Sequence, residues 1–280
     1  MISLQRFAGM NCHYIRHSRD HFFASMEALG YERIELWAAS PHYFAPHFSE
    51  AMVRALKADM ARHGLSLVCL TPEQVTYPVN IASGEAYLRE LSIDLHKKTL
   101  EHAALLESPL MLLTPGYGNL DEPREEAWKR SADSCAQLAR YAEKLGVTIA
   151  LEHLSPISSN LINTAADLRA MLDAVHSPRF KCMFDMGQVH IVGEKPETYF
   201  ELLGEDIVHI HFVDGTPGGH LALGDGTLDL TGALACIERA GYTGNLSLEI
   251  ADRRYFMDPR AADEQSLRWL KTNQKGDGTR

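Results

Sequence analysis

The chain is poor in cysteine: five in 280 residues, an odd number with no CxxC pair. That excludes a disulfide framework and a thiolate zinc site. Cys12, Cys69 and Cys182 fall in apolar segments and read as buried, inert thiols. Long hydrophobic runs are missing too. No stretch approaches the roughly 20 apolar residues needed to span a bilayer, and the start, MISLQRFAGMNCHY, lacks a basic segment followed by an apolar one. The expected protein is cytoplasmic and makes no membrane contact. Basic runs are also scarce: 27 Lys and Arg stand against 37 Asp and Glu, for a formal charge of −10. Attraction to a phosphate backbone would need a basic patch that the sequence does not contain, so nucleic acid is not an expected partner.

What is present is enough apolar material, 45%, for one large core. Short β-branched runs alternate with longer stretches of helical period, the pattern of βα units around a parallel sheet. Strands are predicted near 4–10, 33–37, 65–70, 110–114, 147–152, 180–185, 207–213 and 245–250. Helices are predicted near 19–29, 49–63, 84–107, 123–145, 164–175, 196–203, 228–240 and 260–271. Gly30, Gly64, Gly146 and Gly241 follow helical stretches where a left-handed terminating residue belongs. Pro196 marks a first helical turn, and Asn163-Thr164 with Asp167 reads as an N-cap. Eight such units close most naturally into a (β/α)8 TIM barrel, with an open doubly wound sheet as the alternative. A single domain over 1–272 and a frayed tail over 273–280 complete the expected organisation.

In such a barrel, functional residues belong at the carboxyl ends of the strands. The four clearest strands each end in a metal-capable side chain: Glu152 in LEHLSP, Asp185 in MFDMG, His211 in HIHFVD and Glu249 in SLEI. Successive members lie about one βα unit apart, so they are expected to converge at one height. Three carboxylates and an imidazole suit a hard or borderline divalent ion, Mn2+ foremost, with Co2+, Mg2+ and Zn2+ compatible. An ion with open positions, flanked by Glu152 and Glu249, suits proton transfer beside a carbonyl through an enediolate. His209 points to the same strand face as His211, one layer deeper, and reads as a packed residue supporting the site. His17, His21, His63 and His176 read as solvated surface histidines.

These residues resemble the xylose-isomerase-like barrel superfamily, which includes ketose 3-epimerases, hydroxypyruvate isomerases, inosose-processing enzymes and endonuclease IV. Within it, GYERIELWAASPHYFAP, TPEQVTYPVN, LEHLSPISSN and HFVDG with GGHLALGDG are similar to the fructoselysine 3-epimerase branch. The resemblance implies that Glu152, Asp185, His211 and Glu249 take the metal, that the two glutamates are the catalytic acid–base pair, and that the protein is a homo-oligomer. It implies epimerisation of a small keto-sugar; the alternatives are ketose isomerisation, dehydration of a cyclic polyol ketone and, more remotely, metal-dependent endonuclease chemistry. Epimerases of free ketoses carry a histidine and an arginine where Gln188 and Pro217 stand here, which favours a substituted ketose such as a ketosamine or keto-glycoside. His42, Glu73, Gln188 and His220 are the expected substrate contacts, with Trp37 and Tyr77 as pocket walls.

Overall fold

The computed structural model describes residues 2–216 and 218–273. Eight parallel strands close into a barrel in the order β1 to β8. They are β1 (Phe7–Met10), β2 (Arg33–Ala38), β3 (Ser66–Pro72), β4 (Leu110–Leu113), β5 (Thr148–Glu152), β6 (Phe180–Asp185), β7 (Ile207–His211) and β8 (Asn245–Leu248). The helices are α1 (Arg19–Leu29), α2 (Glu50–Arg62), α3 (Ala86–Leu105), α4 (Arg124–Leu145), α5 (Ala165–Val175), α6 (Met186–Ile191), α7 (Pro196–Leu203), α8 (Leu230–Arg239) and α9 (Pro259–Asn273).

Every expected strand and helix forms, and the closed ring replaces the open-sheet alternative. Most boundaries move by one or two residues, β7 and β8 ending two residues early at His211 and Leu248, and two larger differences stand out. Leu4–Arg6 form a 3-10 turn, capped by the Ser3 hydroxyl, so β1 begins only at Phe7. The six residues of α6 form a helix additional to the eight expected, between β6 and α7; Asp185 caps it by accepting from Gln188 N at 2.7 Å. Within the stretch expected to fray, Asn273 still belongs to α9, while 274–280 and Pro217 lie outside the described residues. Among the described residues no helix is long and apolar enough to cross a membrane.

Strand period two divides the barrel wall. Ile34, Leu36, Ile149, Leu151, Phe184, Ile210, Leu246 and Leu248 join one large buried cluster with the helices. A second, smaller cluster of Ala8, Cys69, Leu110, Leu112, Ala150 and Met183 fills the barrel interior. Because Ala150 and Glu152 share a face, as do Met183 and Asp185, the interior rows run straight up into the expected site residues. The helices carry matching stripes: α4 buries Ala127, Ser131, Ser134, Cys135, Leu138 and Ala142. Gly30 and Gly146 terminate α1 and α4 with φ of 81° and 73°, in the left-handed region that glycine adopts without strain. Thr164 and Asp167 form a reciprocal capping box at the start of α5. All five cysteines are buried and free.

The barrel seam joins the two halves of the chain. Phe7, Ala8 and Gly9 register with Leu246, Ser247 and Leu248. Below the seam, Arg6 donates to the Gly244 carbonyl through Nε and Nη2 at 2.9 and 2.6 Å. Above it, the buried Asp263 carboxylate of α9 accepts from Tyr14 Oη at 2.6 Å and meets His13 Nε2 at 3.2 Å.

Candidate metal centre and active site

Glu152, Asp185 and His211 are the last residues of β5, β6 and β7, and Glu249 directly follows β8. Each offers a ligand atom, and the four atoms lie within 4.8 Å of one another. His211 Nδ1 is 2.9 Å from Glu249 Oε2 and 3.4 Å from Glu152 Oε1. Yet Nδ1 makes no aligned hydrogen bond, and Asp185 Oδ2 is likewise buried without a partner. Buried polar atoms left unpaired at the centre of a converging ring are costly unless a cation completes them. The donor set of three carboxylates and one imidazole therefore fits a divalent ion.

The electrostatics of the ring are asymmetric. Burial pushes the Glu152 carboxyl above the usual carboxylate range, and its contact with His211 reverses this only in part. Burial acts on Glu249 in the same sense, but the nearby His211 and His220 outweigh it and hold this carboxyl low. The two glutamates thus differ in proton affinity although both face one point.

His220 joins this group. Its Nε2 lies 3.2 Å from Glu249 Oε2 and 3.7 Å from Asp185 Oδ2. Its carbonyl accepts from Ala251 N and Asp252 N at 3.0 and 3.2 Å, tying its loop to the one after β8. Asp214, just past β7, organises the same loop: its carboxylate accepts from the amides of Gly215, Gly224, Gly226 and Leu228 at 2.8 to 3.2 Å. A Cβ at Gly226 would overlap the Asp214 carboxylate and the Gly215 carbonyl. Gly226→Ala is therefore expected to displace the loop and His220, lowering kcat/KM about tenfold or more while metal affinity stays near wild type. Unchanged kinetics would show that the loop adapts without cost to the site.

The other expected contacts divide. Gln188 opens α6 beside Asp185, and its Oε1 accepts from Ser155 N at 2.8 Å. Both oxygens of Glu73 hold their surroundings: Oε2 accepts from Trp37 Nε1 at 2.9 Å, and Oε1 from Val75 N and Thr76 N at 2.7 Å. This is the geometry of a residue that shapes its loop. His42 is buried, with Nδ1 on Asn11 Nδ2 at 2.9 Å and Nε2 on the His17 carbonyl at 2.8 Å. Both ring nitrogens of His42 are thus engaged by neighbouring loop atoms. Tyr77 packs on Phe44 at 5.4 Å and accepts from Ser40 N at 2.9 Å through its hydroxyl.

Sequence reasoning missed Glu35, which is fully buried in β2 and bonds both His209 and His211. The signal was available: a charge inside a parallel strand, buried on both faces, must have a partner.

A closed parallel barrel with a carboxylate–imidazole ring at the carboxyl end of its strands has the architecture of a (β/α)8 enzyme site. More narrowly, the chain belongs to the xylose isomerase-like TIM barrel family, whose model matches residues 23–273. It is 30% identical over 258 residues to fructoselysine 3-epimerase of Escherichia coli O157:H7, covering 91% of this chain and 94% of that protein. Among solved structures, D-psicose 3-epimerase from Clostridium cellulolyticum H10 superposes with a TM-score of 0.79 at 19% identity, over 96% of this chain and 98% of that one. A 3-keto-D-glucoside 4-epimerase from E. coli gives 0.80 at 18% identity, over 96% and 99%. These two likenesses are of fold.

Proposed function

We propose that the chain is a divalent-metal-dependent epimerase of a keto-sugar, with a substituted ketose of the fructoselysine or keto-glycoside type as its substrate. The observation that carries this reading is the pair of glutamates, Glu152 and Glu249, held on β5 and after β8 around one metal-capable ring. The extensive match to a fructoselysine 3-epimerase supports the substrate class.

Glu152, Asp185, His211 and Glu249 would hold the ion, Mn2+ foremost. An ion held by these residues would supply Lewis-acid polarisation of the substrate carbonyl, making the neighbouring C–H more acidic. One glutamate takes that proton; the other delivers a proton to the opposite face of the same carbon, which inverts it. His220, within 3.2 Å of Glu249, supplies an N–H for a substrate oxygen. Gln188 has its side-chain oxygen tied to Ser155, which leaves its amide nitrogen for the substrate.

Mn2+-loaded protein in D2O, given a panel of ketoses, ketosamines and keto-glycosides, tests the reading. Deuterium is expected beside the carbonyl of the true substrate, with kcat/KM for a substituted ketose at least about tenfold above that for fructose, tagatose or psicose. Better turnover of a free ketose would overturn the substrate class, and a product lighter by one water would replace epimerisation with dehydration.

A further inference from the structure

Directly beneath the ring, Glu35 is the hub of a buried polar layer. Its Oε2 accepts from His209 Nε2 at 2.6 Å and its Oε1 from His211 Nε2 at 3.1 Å; Thr71 Oγ1 also donates to Oε1. Ser247 Oγ lies 3.0 Å from His209 Nε2, so the layer draws on β2, β3, β7 and β8. Neutral imidazole carries one N–H, and the atom that carries it decides which nitrogen is left as a ligand.

We propose that Glu35 is the positioning residue of the metal centre: by holding the His211 Nε2–H, it fixes the tautomer whose Nδ1 lone pair faces Glu152 and Glu249. The proposal rests on reading the upper ring as a metal site. Glu35, His209 and His211 are close enough to hold an ion themselves. Their contacts to Glu35, however, are all formed hydrogen bonds, whereas in the upper ring His211 Nδ1 and Asp185 Oδ2 face charged neighbours at 2.9 and 3.7 Å without an aligned hydrogen bond; His209 Nδ1, also unbonded, points to neither group's ligand set. Protons fill the lower group and a cation completes the upper one. Glu35 also couples the two histidines of β7 rigidly, since neither ring can turn without losing a buried charge-assisted bond.

The test uses full-length protein stripped of metal and titrated with Mn2+ and with Zn2+, together with 15N NMR of the histidine rings in the Zn2+-loaded state. Wild type is expected to bind one ion per chain, with His211 ligated through Nδ1 and protonated on Nε2. Glu35→Gln, whose amide cannot accept from both imidazoles, is expected to weaken metal affinity about 10- to 100-fold and to alter the His211 ring signals. A loss of thermal stability with unchanged affinity and signals would mark Glu35 as merely structural and overturn the proposal. Should Glu35→Gln not fold, the wild-type spectrum decides alone, because His211 ligated through Nε2 contradicts it. Two ions per chain would also overturn it, by making Glu35 a ligand. A wild type that binds no ion removes the metal reading itself, whereas one ion bound equally by wild type and Glu35→Gln removes only the role of Glu35.

Discussion

Glu249→Gln, loaded with Mn2+, is expected to lose net epimerisation by about 10²- to 10⁴-fold while still exchanging the substrate proton with solvent from the face that Glu152 serves. The amide keeps the shape of the side chain but cannot carry the proton, so one half of the two-base exchange is removed and the other is left. Glu152→Gln is expected to behave as its mirror image, exchanging from the face of Glu249. Exchange without inversion separates this mechanism from one in which a single base serves both faces. Metal content must be measured in each variant, since both glutamates belong to the ring. A metal-replete Glu249→Gln enzyme that epimerised at the wild-type rate would end the two-base reading and leave Glu249 a ligand only.

Metal removal is the second large effect. Dialysis against a chelator is expected to abolish turnover and leave the far-ultraviolet circular dichroism unchanged, because the main cluster between sheet and helices is apolar and independent of the ring. Adding Mn2+ or Co2+ should restore activity. An ion at about 100 times its Kd stabilises by roughly 2.7 kcal/mol, and a chain of this size gains about 2–4 °C per kcal/mol. Saturating metal should therefore raise Tm by about 5–10 °C, which thermal unfolding with and without the ion will measure. Full activity in rigorously metal-free protein would refute the assignment.

The fold was legible because the sequence states it repeatedly. VTIALE, IVHIHFVD and NLSLEI are mostly apolar runs that finish in a charged or metal-capable residue, and that break in pattern marks the top of the barrel. The metal-capable ring could be read for the same reason. α6 was not, since six residues give too little helical period to separate from a loop, and its cap, Asp185, already read as a strand terminus. The roles of His42 and Glu73 depended on which hydrogen bonds their own loops supply, and sequence spacing does not report the path of a loop. Asp214, the single acid of HFVDG, could not be read as a loop organiser, because its four amide partners come together only after the loop folds back on itself.

The seam of the barrel has a consequence for how the chain is made. The strand that must meet Phe7–Met10 is Asn245–Leu248, so almost the whole polypeptide separates the two sides of the last junction. At about 5–20 residues per second of synthesis, β1 would wait on the order of ten to fifty seconds for its partner. Until β8 is made, the edge of β1 that it pairs with in the finished barrel has no native partner. Once α9 emerges, the Asp263 carboxylate engages Tyr14 and His13 and ties the final helix to the segment that follows β1. A ribosome that stalled after β8 but before α9 would hold a barrel able to register its seam yet lacking the tie from Asp263 to Tyr14 and His13.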